Sequence, residues 1–348
     1  MQTVMVNASA PYPVHIGGGL LEKAGELIAG VTKSRTCAVI TDSTVEKLYA
    51  APVCRSLQEA GFRVCLHAFP AGERSKNLAT FGGMLEFLAE NKLTRSDLVV
   101  ALGGGVTGDM AGFAAAAYQR GVDYIQLPTT FLAAADSSVG GKTAVNLTVG
   151  KNLAGAFHQP KMVICDTDTF RTLPPDAFAD GMAETLKHGL IADGDFFRAL
   201  LEGRPAVDEM VRRDVEIKAA VVGEDEFEHG RRKLLNFGHT LGHAIEKCSG
   251  YAVPHGHAVA VGMVLAARAA QRLGYGPAGI LEQVAAANEK YGLPTACPYA
   301  ASELYAAAVS DKKRDGGSID VVVLKEVGRA ETVRLDMEGL RAFTEASL

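Results

Sequence analysis

The chain has 348 residues, of which 48% are hydrophobic and 22% charged, with a formal net charge of −5. That length favours two domains over a single core, and the acidic balance excludes the basic footprint that would make nucleic acid the main partner. Six scattered cysteines, none in a C-x-x-C pair, point to free thiols in a reducing compartment rather than a disulfide framework.

The amino-terminal MQTVMVNASAPYPV lacks the charged start and apolar core of a signal peptide. The longest apolar run, AVAVGMVLAA, falls short of the roughly 20 residues that span a bilayer. The expectation is a soluble, cytoplasmic protein with no membrane partner. Along the chain, TCAVITD predicts a buried strand ending at Asp42, followed by an amphipathic stretch from Ser43 to Ala60. FRVCLHAF predicts the next strand and NLATFGGMLEFLAE the next helix; DLVVALGGG, the small-residue helix TGDMAGFAAAAY, VDYIQLPTT and KMVICDTD continue the alternation. Near-continuous Val/Ile/Leu strands alternating with helices predict a parallel sheet covered on both faces. After Pro174-Pro175 the pattern becomes helical, from Asp176 to about Gly292. SIDVVVL and AETVRL then predict a small hairpin before a terminal helix. The boundary is placed near residue 172, giving domains 1–172 and 173–348.

Three groups of residues carry chemistry. LVVALGGGVTGD sets Gly103, Gly105 and Gly108 in G-x-G-x-x-G register after a strand and at the opening of a helix. There the backbone can approach a diphosphate and helix N–H groups can face it. Asp42, at the end of its strand, can accept from a ribose or cap a helix. DSSVGGKTAVN ends in Gly-Lys-Thr, but the glycine of a G-x-x-x-x-G-K-[ST] phosphate loop falls on Asp136. Lys142 therefore serves another anion, and an ATP-hydrolysing module is disfavoured.

The second half holds His239 and His243 four residues apart, then His255 and His257, with Glu184, Lys187 and His188 upstream on one helical face. Imidazoles plus a carboxylate suit a catalytic divalent cation with open positions, and spacing alone pairs His239 with His243 as ligands. Lys142, Lys151, Asn152, Lys218, Arg232, Asn236 and Lys312 add a cationic and polar set suited to a phosphorylated substrate. Any one of these lysines taken singly reads as solvated surface charge.

The motifs GERSK, ALGGGVTGDMAGF, QLPTT, DSSVGGKTAVN, GKNLAGAFHQP, LPPDAFADGMAETLKHG, DEFEHGRRKLLNFGHTLGHAIE, HGHAVAVGM, YGLPT and DKK follow one another in fixed order. From about residue 12 to 325 the chain resembles the 3-dehydroquinate synthase family of sugar phosphate cyclases. The resemblance implies a Rossmann-like parallel-sheet domain that binds NAD and a mainly α-helical metal-binding domain. It implies that NAD is held by Asp42, Glu73, Lys76, Gly104, Gly105, Val106, Thr107, Gly108, Asp109, Thr129, Thr130, Lys142, Lys151, Thr169, Phe170, Arg171 and Thr172. It implies zinc or cobalt on Glu184, His239 and His255, which leaves His243 as a polar group near the reacting centre. Substrate contacts fall to Asp136, Lys142, Asn152, Lys187, Lys218, Arg232, Asn236 and Lys312, with Arg120 reaching the phosphate from the partner subunit of a homodimer.

The implied reaction turns 3-deoxy-D-arabino-heptulosonate 7-phosphate into 3-dehydroquinate. It proceeds by transient oxidation, β-elimination of phosphate, reduction, ring opening and aldol closure. A cyclase acting on sedoheptulose 7-phosphate and a metal- and NAD-dependent polyol dehydrogenase stand as alternatives. Three departures from the family pattern are visible: His257 where glutamate is usual, Phe227 and His229 within DEFEHG, and Lys233 where a small or apolar residue is usual.

Overall fold

The apolar runs of the first half form strands in the computed structural model, which describes residues 1–312 and 317–348. The chain divides into two compact units, Met1–Leu173 with Lys218–Glu226, and Pro174–Ile217 with Phe227–Leu348. In the first unit a seven-stranded sheet has the order β1-β2-β9-β6-β5-β3-β4. Its strands are β1 (Gln2–Val6), β2 (Tyr12–Gly17), β3 (Thr36–Asp42), β4 (Arg63–Phe69), β5 (Leu98–Gly103), β6 (Asp123–Pro128) and, after a separate hairpin of β7 (Lys142–Leu147) and β8 (Gly150–Phe157), β9 (Met162–Asp166). All neighbours in the sheet pair in parallel except β1 with β2, which forms an antiparallel edge.

Alternation along these strands feeds two cores, because successive side chains leave a strand on opposite faces. Cys37, Val39, Val100, Leu102, Leu127 and Ile164 join one cluster, with Ile28 of α1 (Ala24–Ala29) and Leu57 of α2 (Ala51–Glu59). Ala38, Ile40, Val99, Ala101 and Tyr124 join the other, with Met84 and Leu88 of α3 (Leu78–Glu90) and Met110 and Ala114 of α4 (Gly105–Ala117). Asn77 starts α3 by accepting the Thr80 N–H at 3.0 Å, which satisfies one amide of the first turn. The β7–β8 hairpin packs on α4. It is a finding the sequence reading did not include.

The second unit begins at α5 (Pro175–Ala192), whose proline at the first helical position forgoes an N–H that would have no intrahelical partner there. It continues with α6 (Gly194–Glu202), α7 (Val207–Glu224), α8 (His239–Cys248), α9 (His255–Arg272), α10 (Ile280–Lys290) and α11 (Ala301–Lys312). The antiparallel pair β10 (Ser318–Glu326) and β11 (Arg329–Asp336) and the terminal α12 (Met337–Ser347) complete it.

Helix α9 is buried nearly all round and forms the spine of this unit. It meets α8 at backbone distance: a Cβ on Gly242 would lie 3.1 Å from Val259 Cα. That close approach fixes the starts of both helices. The last two turns of α7 and the residues beyond them, 218–226, belong to the first unit, an exchange that one cut in the chain does not provide for. The Glu226 carboxylate accepts from Ser9 N–H, Ser9 hydroxyl and Gln159 Nε2, each at 2.8 Å. Among the described residues no helix is long and apolar enough to cross a membrane.

Candidate functional site

In the first unit, β5 runs directly into α4 through Gly103 and Gly104. No side chain caps the start of α4. A Cβ on Gly104 would come within 3.0 Å of Thr130 Cγ2, and one on Gly105 within 3.0 Å of Ser137 Oγ. The amides of Gly105, Val106, Thr107 and Gly108 thus open a helix whose approach is kept clear by the lack of side chains. This bare positive helix end fits an anionic diphosphate. Thr129 ties the cradle to the next strand, its N–H donating to Gly103 O at 3.0 Å.

Asp42 is the last residue of β3. One carboxylate oxygen accepts from the Thr44 and Val45 amides at 2.8 and 3.1 Å, and the Thr107 hydroxyl lies 3.5 Å from the other. Lys76 is buried and donates to Asp109 at 2.5 Å and to Asn152 Oδ1 at 2.6 Å. Burial pushes the Asp109 carboxyl above the usual range, against the opposing pull of the Lys76 ammonium. Asn146 links this group to Glu73, donating at 2.7 Å, and accepts from Asn152 N–H at 2.9 Å.

Thr169, Phe170, Arg171 and Thr172 lie on the turn after β9. Asp166 anchors that turn, its carboxylate also accepting from Gly19 and Leu21 amides at 3.0 and 2.8 Å. The Tyr49 hydroxyl lies 2.6 Å from Thr172 Oγ1 and donates to Thr169 O at 3.1 Å. Tyr49 was not singled out from sequence, since nothing marks it within an amphipathic stretch. Lys218 reaches both the Asp136 carboxylate, at 2.8 Å, and its carbonyl, at 2.5 Å. Lys142 opens β7 with an exposed side chain, Lys151 is half-buried, and Arg120 is exposed on a turn with φ of 63°.

In the second unit, Glu184 is fully buried in the middle of α5 and is paired with Lys187 one turn on. His239 is the first residue of α8 and His255 the first of α9. Their Nε2 atoms lie 3.5 and 3.4 Å from Glu184 Oε1, and ligand atoms of the three residues all lie within 4.8 Å of one another. Each imidazole is held through its other nitrogen: His239 Nδ1 lies 3.1 Å from Phe237 O, and His255 Nδ1 lies 3.5 Å from Glu246 Oε2. That arrangement presents both Nε2 atoms toward the carboxylate, as the ligands of a divalent cation require.

Burial, with the Lys187 charge, holds His239 well below its usual pKa and therefore neutral. Burial opposes protonation of His255 too, but hydrogen bonds to Glu184 and Glu246 outweigh it and raise that imidazole to about 10. The pairing of His239 with His243 drawn from spacing is corrected. His243 turns its ring edge-on to His239 at 5.4 Å, is nearly half exposed, and has Nε2 4.0 Å from Glu246. A second grouping, His243 with Glu246 and His255, shares His255 with the first.

Arg232 is buried, and Asn236 donates to Glu228 at 2.7 Å. The side chain of Lys312 lies outside the described residues. Two carboxylates near the Glu184, His239 and His255 group were missed from sequence. Glu246 had a signal in its three-residue spacing from His243. Asp214, fully buried on α7, had none; it accepts from Thr185 at 2.6 Å and lies 2.9 Å from His188 Nδ1, thereby holding α5.

Comparison with known proteins matches the 3-dehydroquinate synthase N-terminal family model over residues 66–180 and its C-terminal counterpart over 181–314. A 3-dehydroquinate synthase of Streptococcus suis is 43% identical over 346 residues, covering 97% of this chain and 98% of the relative. Among solved structures, a 2-deoxy-scyllo-inosose synthase complexed with carbaglucose-6-phosphate, NAD+ and Co2+ aligns with a TM-score of 0.88 and 27% identity over 99% of each chain. ValA, the 2-epi-5-epi-valiolone synthase of Streptomyces hygroscopicus with NAD+ and Zn2+ bound, aligns with a TM-score of 0.86 and 26% identity over 95% of each chain. Between them the two models cover most of the sequence and meet end to end at the entry to α5, so the chain belongs to the 3-dehydroquinate synthase family.

Proposed function

We propose that the protein is a 3-dehydroquinate synthase of aromatic amino acid biosynthesis. It converts 3-deoxy-D-arabino-heptulosonate 7-phosphate to 3-dehydroquinate and phosphate, and works as a cytoplasmic homodimer. The observation that carries this reading is the group of buried Glu184 with partly buried His239 and His255, both imidazoles oriented by their Nδ1 atoms, in a chain 43% identical to a named synthase. Bound NAD would supply reversible oxidation of one substrate alcohol, and zinc or cobalt on the triad a Lewis acid for that oxygen.

The chain's own residues would do the rest. Domain 1–172 is assigned to the nucleotide, with Gly104, Gly105 and the following amides receiving its diphosphate and Asp42 its ribose. Lys76 neutralises Asp109 and positions Asn152. Domain 173–348 is assigned to metal and substrate. A dianionic leaving group needs cationic compensation, and Lys142, Lys218, Lys187 and Arg232 are the cations proposed for that role. Asp136 orients the Lys218 ammonium. Lys187 and His243 would hold substrate hydroxyls and move their protons, and Arg120 would reach the phosphate of the partner subunit's substrate.

The test is phosphate release from the heptulosonate phosphate with absorbance at the NADH band followed in parallel. Multiple turnovers with no net NADH, abolished by chelation and restored by zinc or cobalt, are expected. Steady NADH accumulation would identify a polyol dehydrogenase, and turnover only with sedoheptulose 7-phosphate a sister cyclase.

A further inference from the structure

The first turn of α9, which carries His255, is held by a neighbouring helix. Pro254 precedes α9 and offers no side-chain cap. Asp180 on α5, one turn before Glu184, supplies it instead: its Oδ1 accepts the His257 N–H at 3.0 Å and lies 3.1 Å from His257 Nδ1. Between His255 and His257 stands Gly256, where any Cβ would overlap the backbone carbonyl of Asp180. Helix α5 therefore grips α9 twice on successive turns of one face, at His257 through Asp180 and at His255 through Glu184. Both Asp180 and His257 are largely sheltered, with side-chain exposures of 14% and 17%. A glutamate at 257, the residue usual in the family, would set two carboxylates against each other; histidine makes the pair attractive.

We infer that Asp180 and His257 form a clasp that positions His255 as a metal ligand. The inference rests on reading Glu184, His239 and His255 as the metal site. Partners that orient a metal-bound imidazole typically contribute about 10–100-fold in metal affinity, and here the orientation is delivered through the backbone of a helix start.

The experiment is zinc titration of the metal-free full chain against a chromophoric chelator, with the cobalt d–d spectrum as a second readout. Asp180→Ala, which loses both contacts, is expected to weaken zinc by about 10–100-fold and to alter the cobalt band shape. His257→Ala, which keeps the N–H contact, is expected to weaken zinc less, and Asp180→Asn, which keeps an acceptor for that N–H, to restore most of the affinity. Zinc affinity of Asp180→Ala within about two-fold of the parent overturns the clasp and leaves the metal site standing. So does an unchanged cobalt band accompanied only by a lower melting temperature. Should Asp180→Ala not fold, zinc affinity of His257→Ala within about two-fold of the parent, with an unchanged cobalt band, overturns it. A parent chain that binds no zinc overturns the clasp and the metal reading together.

Discussion

Lys187→Met separates the electrostatics of the second unit from its catalysis. In the metal-free protein the Lys187 ammonium and the Glu184 carboxylate are both buried and paired. Removing one partner of such a pair costs about 3–5 kcal/mol. Here His255 stands 3.4 Å from the same carboxylate, with its pKa raised to about 10. A second cation therefore remains, and the cost falls at the lower end, about 3 kcal/mol. For a unit of this size that is a fall of about 6–12 °C in the melting temperature measured in chelator.

Zinc lessens the cost. Bound metal becomes the carboxylate's counter-ion, and Lys187 is then a like charge beside it. If the zinc-loaded variant loses only about 1 kcal/mol, linkage requires zinc to bind about 30-fold tighter in the variant than in the parent. Calorimetric zinc titration and paired melts with and without metal measure both quantities. An unchanged metal-free melting temperature, or weaker zinc binding, would refute the reasoning.

Other expectations follow from the same contacts. Because His255 is raised from 6.5 to about 10, its protonated form stabilises the metal-free fold fully below pH 6.5, and that contribution is lost as the pH climbs toward 10. Metal-free melting temperatures should fall across that window while zinc affinity rises, since the ligand must shed its proton; a flat pair of profiles would contradict the Glu184–His255 contact. Gly105→Ala places a methyl 3.0 Å from Ser137 Oγ at the mouth of the α4 cradle and should weaken NAD by about tenfold, read by nucleotide fluorescence titration. Asp214→Ala removes the acceptor of Thr185 and of His188, at about 1–3 kcal/mol for each donor. Urea unfolding should register that loss, and a change below about 1 kcal/mol would dismiss the Asp214 network as a support of α5.

The sheet was legible because its strands obey a local rule. From Cys37 to Ile40 in β3 and from Leu98 to Leu102 in β5, odd and even residues are all apolar and feed opposite cores, so a run of four or five such residues needs no tertiary information to be read as a strand buried on both faces. The β7–β8 hairpin follows no such rule. GKNLAGAF is half small or glycine residues and leaves much of its length exposed, and it forms because α4 offers a surface to pack on. The exchange of residues 218–226 was illegible for a related reason. Helical periodicity runs through α7 without a break, while the membership of its end is decided by the Lys218 contact with Asp136 and the hydrogen bonds of Glu226, both far away in sequence.

The Glu184, His239 and His255 group, proposed as the metal site, shows the same limit at the level of chemistry. Helical spacing reports which residues share a face of one helix, and by that measure His239 and His243 belong together. A metal imposes a different demand, that donor atoms converge on a point, and three donors on one straight helix face cannot converge without distorting it. Taking one donor from the middle of α5 and one from the first residue of each of α8 and α9 meets that demand with straight helices. First residues also lie where side-chain direction is set by what precedes the helix and by its neighbours. Their aim therefore depends on contacts such as Phe237 O on His239, Glu246 on His255 and Asp180 on His257, and spacing within one helix carries no record of those.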